Sequence, residues 1–403
     1  MTIATGVGKQ VAYKAEVTWG TAPAASGAQS LRRITSTLSL RKQTYESQEI
    51  ATHMQRVDMR HGVRSIGGAI NGELSAGTWK DFFAAALRRT FATVAAITGA
   101  SITVAGSGPT YTITRAAGSW ITDGIKVGQV GRLTAGTFNA ANLNKNLFIL
   151  AETATILTVM PLNGVALVAE GPIGSATWTP TGKTTYAPAT GQIDTSFSIE
   201  HFHSDTVLSE VFLGCKVDKI AVALPPTGLG TISMDFMGRD VTTAGAQYFT
   251  SPTAPTATGV FASVNGIMQT QGGQLALLTG LSFDVTDGMS SEPVVGQNIY
   301  ADIAEGLMLV SGQCTALFQD ATMRDYFINE TEVSLSVALA ASNAAAADIM
   351  AFTLPRIKFG GADKDDGQKH LVQTLPFTAL YNVNGGAGTT SEQTTLAIQD
   401  SQA

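Results

Sequence analysis

Two stretches of the chain carry the same order of apolar and polar positions. In Val63 to Leu87, Ile66, Ile70 and Leu74 recur on one side of a strand pattern with Gly68 and Gly72 between them, and a helical pattern follows. Leu307 to Asn329 repeats that order. Setting Asp81 over Asp325 aligns the copies without a gap: Gly62 falls on Gly306, Ile66 on Val310, Gly68 on Gly312, Ile70 on Cys314 and Leu74 on Phe318. In the helical part Trp79, Phe82 and Phe83 fall on Met323, Tyr326 and Phe327. This i, i+3, i+4 spacing gathers large side chains on one face, so both sets are expected to pack on the core. The opposite strand face is small and polar in both copies, with Gly67, Ala69, Asn71 and Glu73 in the first and Ser311, Gln313 and Thr315 in the second. Ser75 or Thr78 is placed to cap the first helix and Asp320 the second. Low identity with hydrophobic class retained reads as a tandem duplication.

The rest of the chain fits around these copies. Residues 1–30 have no strong period and are expected to form an extended arm. Alternation over Leu31 to Leu40 predicts a strand flanked by Arg32, Arg33, Arg41 and Lys42. Residues 43–59 and 286–300 read as long excursions between strands. Residues 91–183 have no counterpart in the second copy; short strand patterns at Ser101 to Val104, Tyr111 to Arg115, Gly128 to Leu133, Leu147 to Leu150, Ala154 to Val159 and Ser175 to Thr179 predict an inserted small all-β domain. The first copy then resumes with Thr195 to His203, Cys215 to Leu224 and Thr231 to Gly238, and the second runs through Glu332 to Leu339, Phe352 to Phe359 and Leu371 to Tyr381. Val222-x-Leu224 is matched with Ile357-x-Phe359, and Ile232-x-Met234-x-Phe236 with Leu375-x-Phe377-x-Ala379. The expected organisation is an arm (1–30), copy one (31–90 and 184–249), the insert (91–183), a linker (250–270) and copy two (271–403).

Charge and chemistry narrow the function. Charged residues are 14% of the chain, against about 25% in ordinary soluble domains. Low charge with 42 glycines suggests surface that another chain covers. A net charge of −6 argues against gripping nucleic acid by its phosphates. No apolar run reaches about 18 residues and the first residues lack a signal peptide's basic and apolar regions, so a soluble protein made in the cytoplasm is expected. Cys215 and Cys314 sit in alternating strands and read as small buried apolar residues. His201-x-His203 could share a metal but lacks evident partners, which favours surface or interface histidines. Asp363, Asp365 and Asp366 lack calcium-loop spacing and read as a solvated hairpin tip. No catalytic set, metal site or cofactor is expected.

The opening GVGKQVAYKAEVTWGT, the passage VRSIGGAINGELSAGTWKDFFAAALRR, the strand pair ending DFMGRDVT and the final TTLAIQDS resemble the tail tube proteins of long-tailed bacteriophages, over most of residues 1–92 and 184–403. The resemblance implies a mainly β fold: two tandem β-sandwich or barrel domains, each with one flanking helix. It implies a structural virion protein whose rings stack into the tail channel for DNA ejection. Gly67, Ala69, Asn71, Glu73, Ser311, Gln313 and Thr315 would face the lumen, and DNA would pass without specific binding. Tyr45, Glu46, Glu49, Arg56 and Asp58, with Ser291, Glu292 and Asn298, would lie in ring-stacking loops. The implied partners are other copies of the chain, a tape measure protein, a tail terminator and distal tail proteins, with no membrane. Two fused domains per chain imply a trimeric, pseudo-hexameric ring, and the insert following the outer helix is expected on the tail exterior. The alternatives are another phage ring, a baseplate or surface-layer protein, or a carbohydrate-binding module.

Overall fold

Ile66, Ile70 and Leu74 are all but sealed from solvent, and the strand that carries the first two, Met59–Glu73, is the axis of the first repeat. The structure, a computed structural model, describes residues 3–270, 273–274, 278–366, 368 and 370–403. Met59–Glu73 pairs on one side with Thr35–Ser36 and Ser39–Glu46 and on the other with Thr231–Gly238, which pairs with Leu208–Leu224. In the second repeat Leu309–Leu317 pairs with Leu278–Thr286 and with Val372–Ala379, which pairs with Ile349–Phe359 and its short continuation Asp363–Lys364. The two four-stranded sets are the same antiparallel arrangement. They are joined edge to edge, because residues 219–224 pair with 281–286. The result is one ribbon of eight strands per chain.

The fold is mainly β, as expected, with two short helices, Lys80–Ala86 and Thr322–Ile328. Each ribbon half is backed by a second layer. In the first repeat Lys9–Ala15 pairs with Phe197–His203, and in the second Gly266–Thr270 pairs with Val333–Ala340. The stretches read as arm and linker therefore each supply an outer strand to the repeat that follows. Burial explains it: Val11, Ala12 and Tyr13 are core residues, hidden in the sequence by the polar residues around them.

The strand registers correct two sequence matches. Met234 opposes Ile70 and Leu375 opposes Cys314, so Met234, not Ile232, corresponds to Leu375. Val217 opposes Phe236 and Phe359 opposes Phe377, so Phe359 corresponds to Val217, not Leu224. A period-two pattern looks the same after a slip of two residues, as at Ile232, and the register shift between Val217 and Lys219 displaces the other match further.

The helices differ more. Trp79 and Ala321 are the N-cap residues, although Glu73 and Leu317 end equivalent strands, so the second connection is two residues shorter. Both helices close on a residue of positive φ, Arg88 (54°) and Glu330 (50°). The shift turns the second helix by about 200° relative to the gapless alignment. Trp79, Phe82 and Phe83 are core residues, with the Phe82 ring 4.6 Å from Tyr13, 4.9 Å from Phe197 and 5.4 Å from Phe236. Met323 and Tyr326 are only half-buried and Phe327 is 40% exposed, contrary to the expected core face. Ser75 Oγ and Thr78 Oγ1 bond each other at 2.7 Å instead of capping the first helix, while Asp320 accepts the Thr322 N–H at 2.8 Å.

The inserted strands Ile97–Gly106, Tyr111–Arg115, Val130–Ala135, Leu147–Glu152, Ile156–Pro161 and Glu170–Pro180 form a closed barrel. Trp120 and Trp178 stack edge to face in its core, 5.8 Å apart. The barrel is fixed to the outer layer of repeat two: Val130, Phe148 and Met160 pack with Ala338, Ile349 and Ala351. Gln399 bridges the two bodies, accepting the Val130 N–H (2.7 Å) and donating to the carbonyls of Val130 (2.8 Å) and Thr181 (2.7 Å).

Candidate assembly interface

The side chains that alternate with the core residues of the ribbon share one polar face. Gly67, Ala69, Asn71 and Glu73 lie on it in the first repeat, and Ser311, Gln313 and Thr315 in the second, all half-buried except the exposed Gln313. The registers add neighbours that the sequence reading did not name: Asp235 opposite Ala69, Ser233 opposite Asn71, Asp284 opposite Ser311 and Thr374 opposite Thr315. Knowing the pairing partners was the missing signal. The face is small and mostly neutral, with Glu73, Asp235 and Asp284 set against Lys219, whose ammonium is held by Asp284 at 2.8 Å. That hydrogen bond raises the Lys219 pKa, and burial raises that of Asp235.

Lys219 and Asp284 belong to different repeats, at the joint between them. Around it, Arg88 Nη2 lies 3.3 Å from Asp287 Oδ1 and donates to the Gly306 carbonyl at 3.0 Å, and Arg88 Nε lies 3.1 Å from Glu305 Oε2. Lys216 Nζ contacts Asp194 of its own repeat (2.6 Å) and donates to the Ile303 carbonyl of the other (3.0 Å). Burial pushes the Asp287 carboxyl up to about 7 against the pull of Arg88, and raises Glu305 as well. Phe83 completes the joint, 6.0 Å from Phe352.

The ribbon ends in two open edges. One runs along 35–42 and the other along 358–366; among the described residues, strand pairing is on one side of each. Arg41 and Lys42 are exposed on the first edge, and Asp363, Asp365 and Asp366 on the second. Open edges of this length ordinarily invite another strand.

The two excursions adopt different shapes. Ser39–Glu46 and Met59–Glu73 stay paired out to Glu46 and Met59, and the loop beyond them carries Glu49, Arg56 and Asp58 together with exposed Ile50, Met54 and Val57. Tyr45 and Glu46 lie on its exposed stem, where Arg56 contacts Glu46, and Arg60 pairs with Asp58 at 2.7 Å. Ser291 is half-buried and Glu292 and Asn298 are exposed, while the Asn298 backbone carbonyl accepts the Arg64 N–H at 2.9 Å. The loop that leaves Leu278–Thr286 of repeat two thus reaches Met59–Glu73 of repeat one within the chain.

The other candidates resolve structurally. His201 is buried, not a surface histidine, with Nε2 2.8 Å from Ser36 Oγ and its ring 4.7 Å from Phe212. Burial, then Lys9, Arg33 and His203, lowers its pKa to about 3. Asp363 lies in the edge strand and not in a hairpin tip. Among the described residues, no group of three or more His, Cys, Asp and Glu side chains is placed to hold a metal ion, and no helix is long and apolar enough to cross a membrane. Both barrel tryptophans are in the core, so neither offers a sugar platform.

A family model described as phage tail tube protein matches residues 6–379. No curated protein matches the chain.

Proposed function

The chain belongs to the phage tail tube protein family, and from that premise we propose that three copies close a ring of six repeats whose polar faces line the channel. The family membership makes it a structural component of the virion tail that assembles into a tube. The observation that supports the finer reading is the joint inside the chain. Two repeats already share a continuous ribbon, with one open edge at each end, so the same operation repeated between chains closes a barrel.

Eight strands from each of three chains make 24. At about 4.8 Å per strand the barrel is about 37 Å across, or about 48 Å with strands tilted by about 40°. That leaves room for a DNA duplex inside the side chains. A small, neutral-to-acidic lining would let the duplex pass, since basic side chains would hold its phosphates. The loop tip with Ile50, Met54 and Val57 carries enough exposed apolar surface to seat on the next ring. The inserted barrel, fixed to the outer layer of repeat two, would decorate the exterior. Tape measure, terminator and distal tail proteins would meet the lumen and the two ends of the tube.

Native mass spectrometry of the assembling protein tests the stoichiometry. The reading requires a ring of 3 × 41.9 kDa, or 125.7 kDa. A ring of six chains would overturn it.

A further inference from the structure

The joint within each chain is a template for the joint between chains. By register, 357–359 and 363–364 occupy in repeat two the place of 215–217 and 221–222 in repeat one, and 35–36 and 39–42 occupy the place of 280–281 and 284–287. Copying the pairing of Ala221 with Asp284 sets Asp363 opposite Ser39 of a second copy. Lys364 then faces Leu38 and Asp365 faces Thr37.

The equivalence also maps the charges. Arg88 and Glu330 are counterparts: each follows its helix with positive φ, and each donates its N–H three residues back, to Ala85 (3.0 Å) and Phe327 (3.2 Å). Asp287, the partner of Arg88, has Lys42 as its counterpart, one residue beyond the Arg41 that matches Thr286. Lys216, which binds Asp194, has Lys358, 3.5 Å from Glu330. At the internal joint a cation of repeat one enters an acidic site on repeat two. At the open ends the two positions exchange signs: the helix end carries the acid Glu330 where repeat one has Arg88, and the strand edge carries Lys42 where repeat two has Asp287.

We propose that the chain–chain joint is a charge-inverted copy of the internal joint, and that the inversion sorts the repeats. Glu330 and the acidic 363–366 edge of one chain dock on Arg41 and Lys42 of a second copy. Two like edges would repel. An exchanged joint between two first repeats would set Arg88 against Lys42, and one between two second repeats would set Glu330 against Asp287 and Glu305. Repulsive alternatives of this kind fix specificity as effectively as attractive contacts. Only alternation of first and second repeats remains.

This rests on the ring reading, and the tests separate the two. Lys42→Glu, at an exposed position, should raise the concentration needed for ring formation at least tenfold at low salt, and Lys42→Glu with Glu330→Lys should restore it. Normal assembly of the single variant, or a double variant no better than the single, overturns the sorting joint while leaving the ring. Cysteines at Ser39 and Asp363 in one chain should cross-link into closed oligomers on oxidation, whereas Arg41→Cys with Asp363→Cys, two residues out of register, should not. Preferred cross-linking of the second pair overturns the register. If the unaltered chain forms no ring at low or high salt, the ring reading fails and this joint fails with it.

Discussion

Arg88→Met is the most informative single change at the internal joint. The guanidinium is 11% exposed and faces Asp287, whose side chain is 2% exposed, and Glu305. Met keeps the length and removes the charge. Deleting one partner of a buried ion pair costs about 3–5 kcal/mol, because the remaining charge is left desolvated. The cost depends on pH. In the intact chain the Asp287 pKa is raised from 3.8 to about 7, so the folded state holds a proton there that the unfolded state releases. Stability from this group is fully present below about pH 4 and is lost as pH rises toward 7. Without Arg88 the folded pKa moves higher still and the loss continues above pH 7, at about 1.4 kcal/mol per pH unit. The variant should therefore lie within about 1 kcal/mol of the parent at pH 5 and about 2–3 kcal/mol below it at pH 8.5. With about 2.1 cal/mol/K of unfolding entropy per residue, that is about 2–4 °C in Tm if the chain unfolds as one unit. Scanning calorimetry at both pH values measures it. An equal loss at pH 5 and pH 8.5 would refute the argument, since a cost without pH dependence is lost packing and not an uncompensated carboxylate.

The two helices should respond unequally: Phe82→Ala empties a site enclosed by four aromatic rings and should cost about 3–5 kcal/mol, whereas Phe327→Ala in the unassembled chain should cost under about 1 kcal/mol, with urea midpoints deciding. His201, its pKa lowered from 6.5 to about 3, stays neutral when folded but takes up a proton when unfolded. Its contribution is present above pH 6.5 and is lost as pH falls toward 3, by up to about 4–5 kcal/mol; His201→Asn should flatten the acid limb of the stability profile measured by denaturant midpoints from pH 4 to 7. Ala69→Lys with Gln313→Lys should leave ring formation intact but slow release of DNA from virions carrying the variant tails, measured as dye fluorescence after receptor triggering, and unchanged release would argue against a lumenal position.

The repeated strand arrangement was legible because strand burial preserves hydrophobic class: Ile66 and Ile70 in the first set match Val310 and Cys314 in the second. The polar alternation with them was equally plain, from Gly67 to Glu73 and from Ser311 to Thr315. Registers were not, because Ile232, Met234 and Phe236 look the same to a period-two pattern after a slip of two, and only backbone pairing distinguishes them. The second helix misled for a related reason. Met323, Tyr326 and Phe327 have core spacing, but a connection shortened by two residues aims them elsewhere. Val11 and Tyr13 escaped notice because the outer strand is short and its flanks are polar. The charge inversion between Arg88 and Glu330 needed both the cap geometry and the pairing of Asp287. Neither can be read from one chain position at a time.

The central claim is that two fused repeats per chain build a ring of three. Cryo-electron microscopy of the assembled tubes, reconstructed without imposed symmetry, tests it directly. The account predicts a true three-fold axis, six inner repeats around the channel and three inserted barrels on the outer surface of each ring. Six chains per ring, or inserted barrels within the lumen, would contradict it.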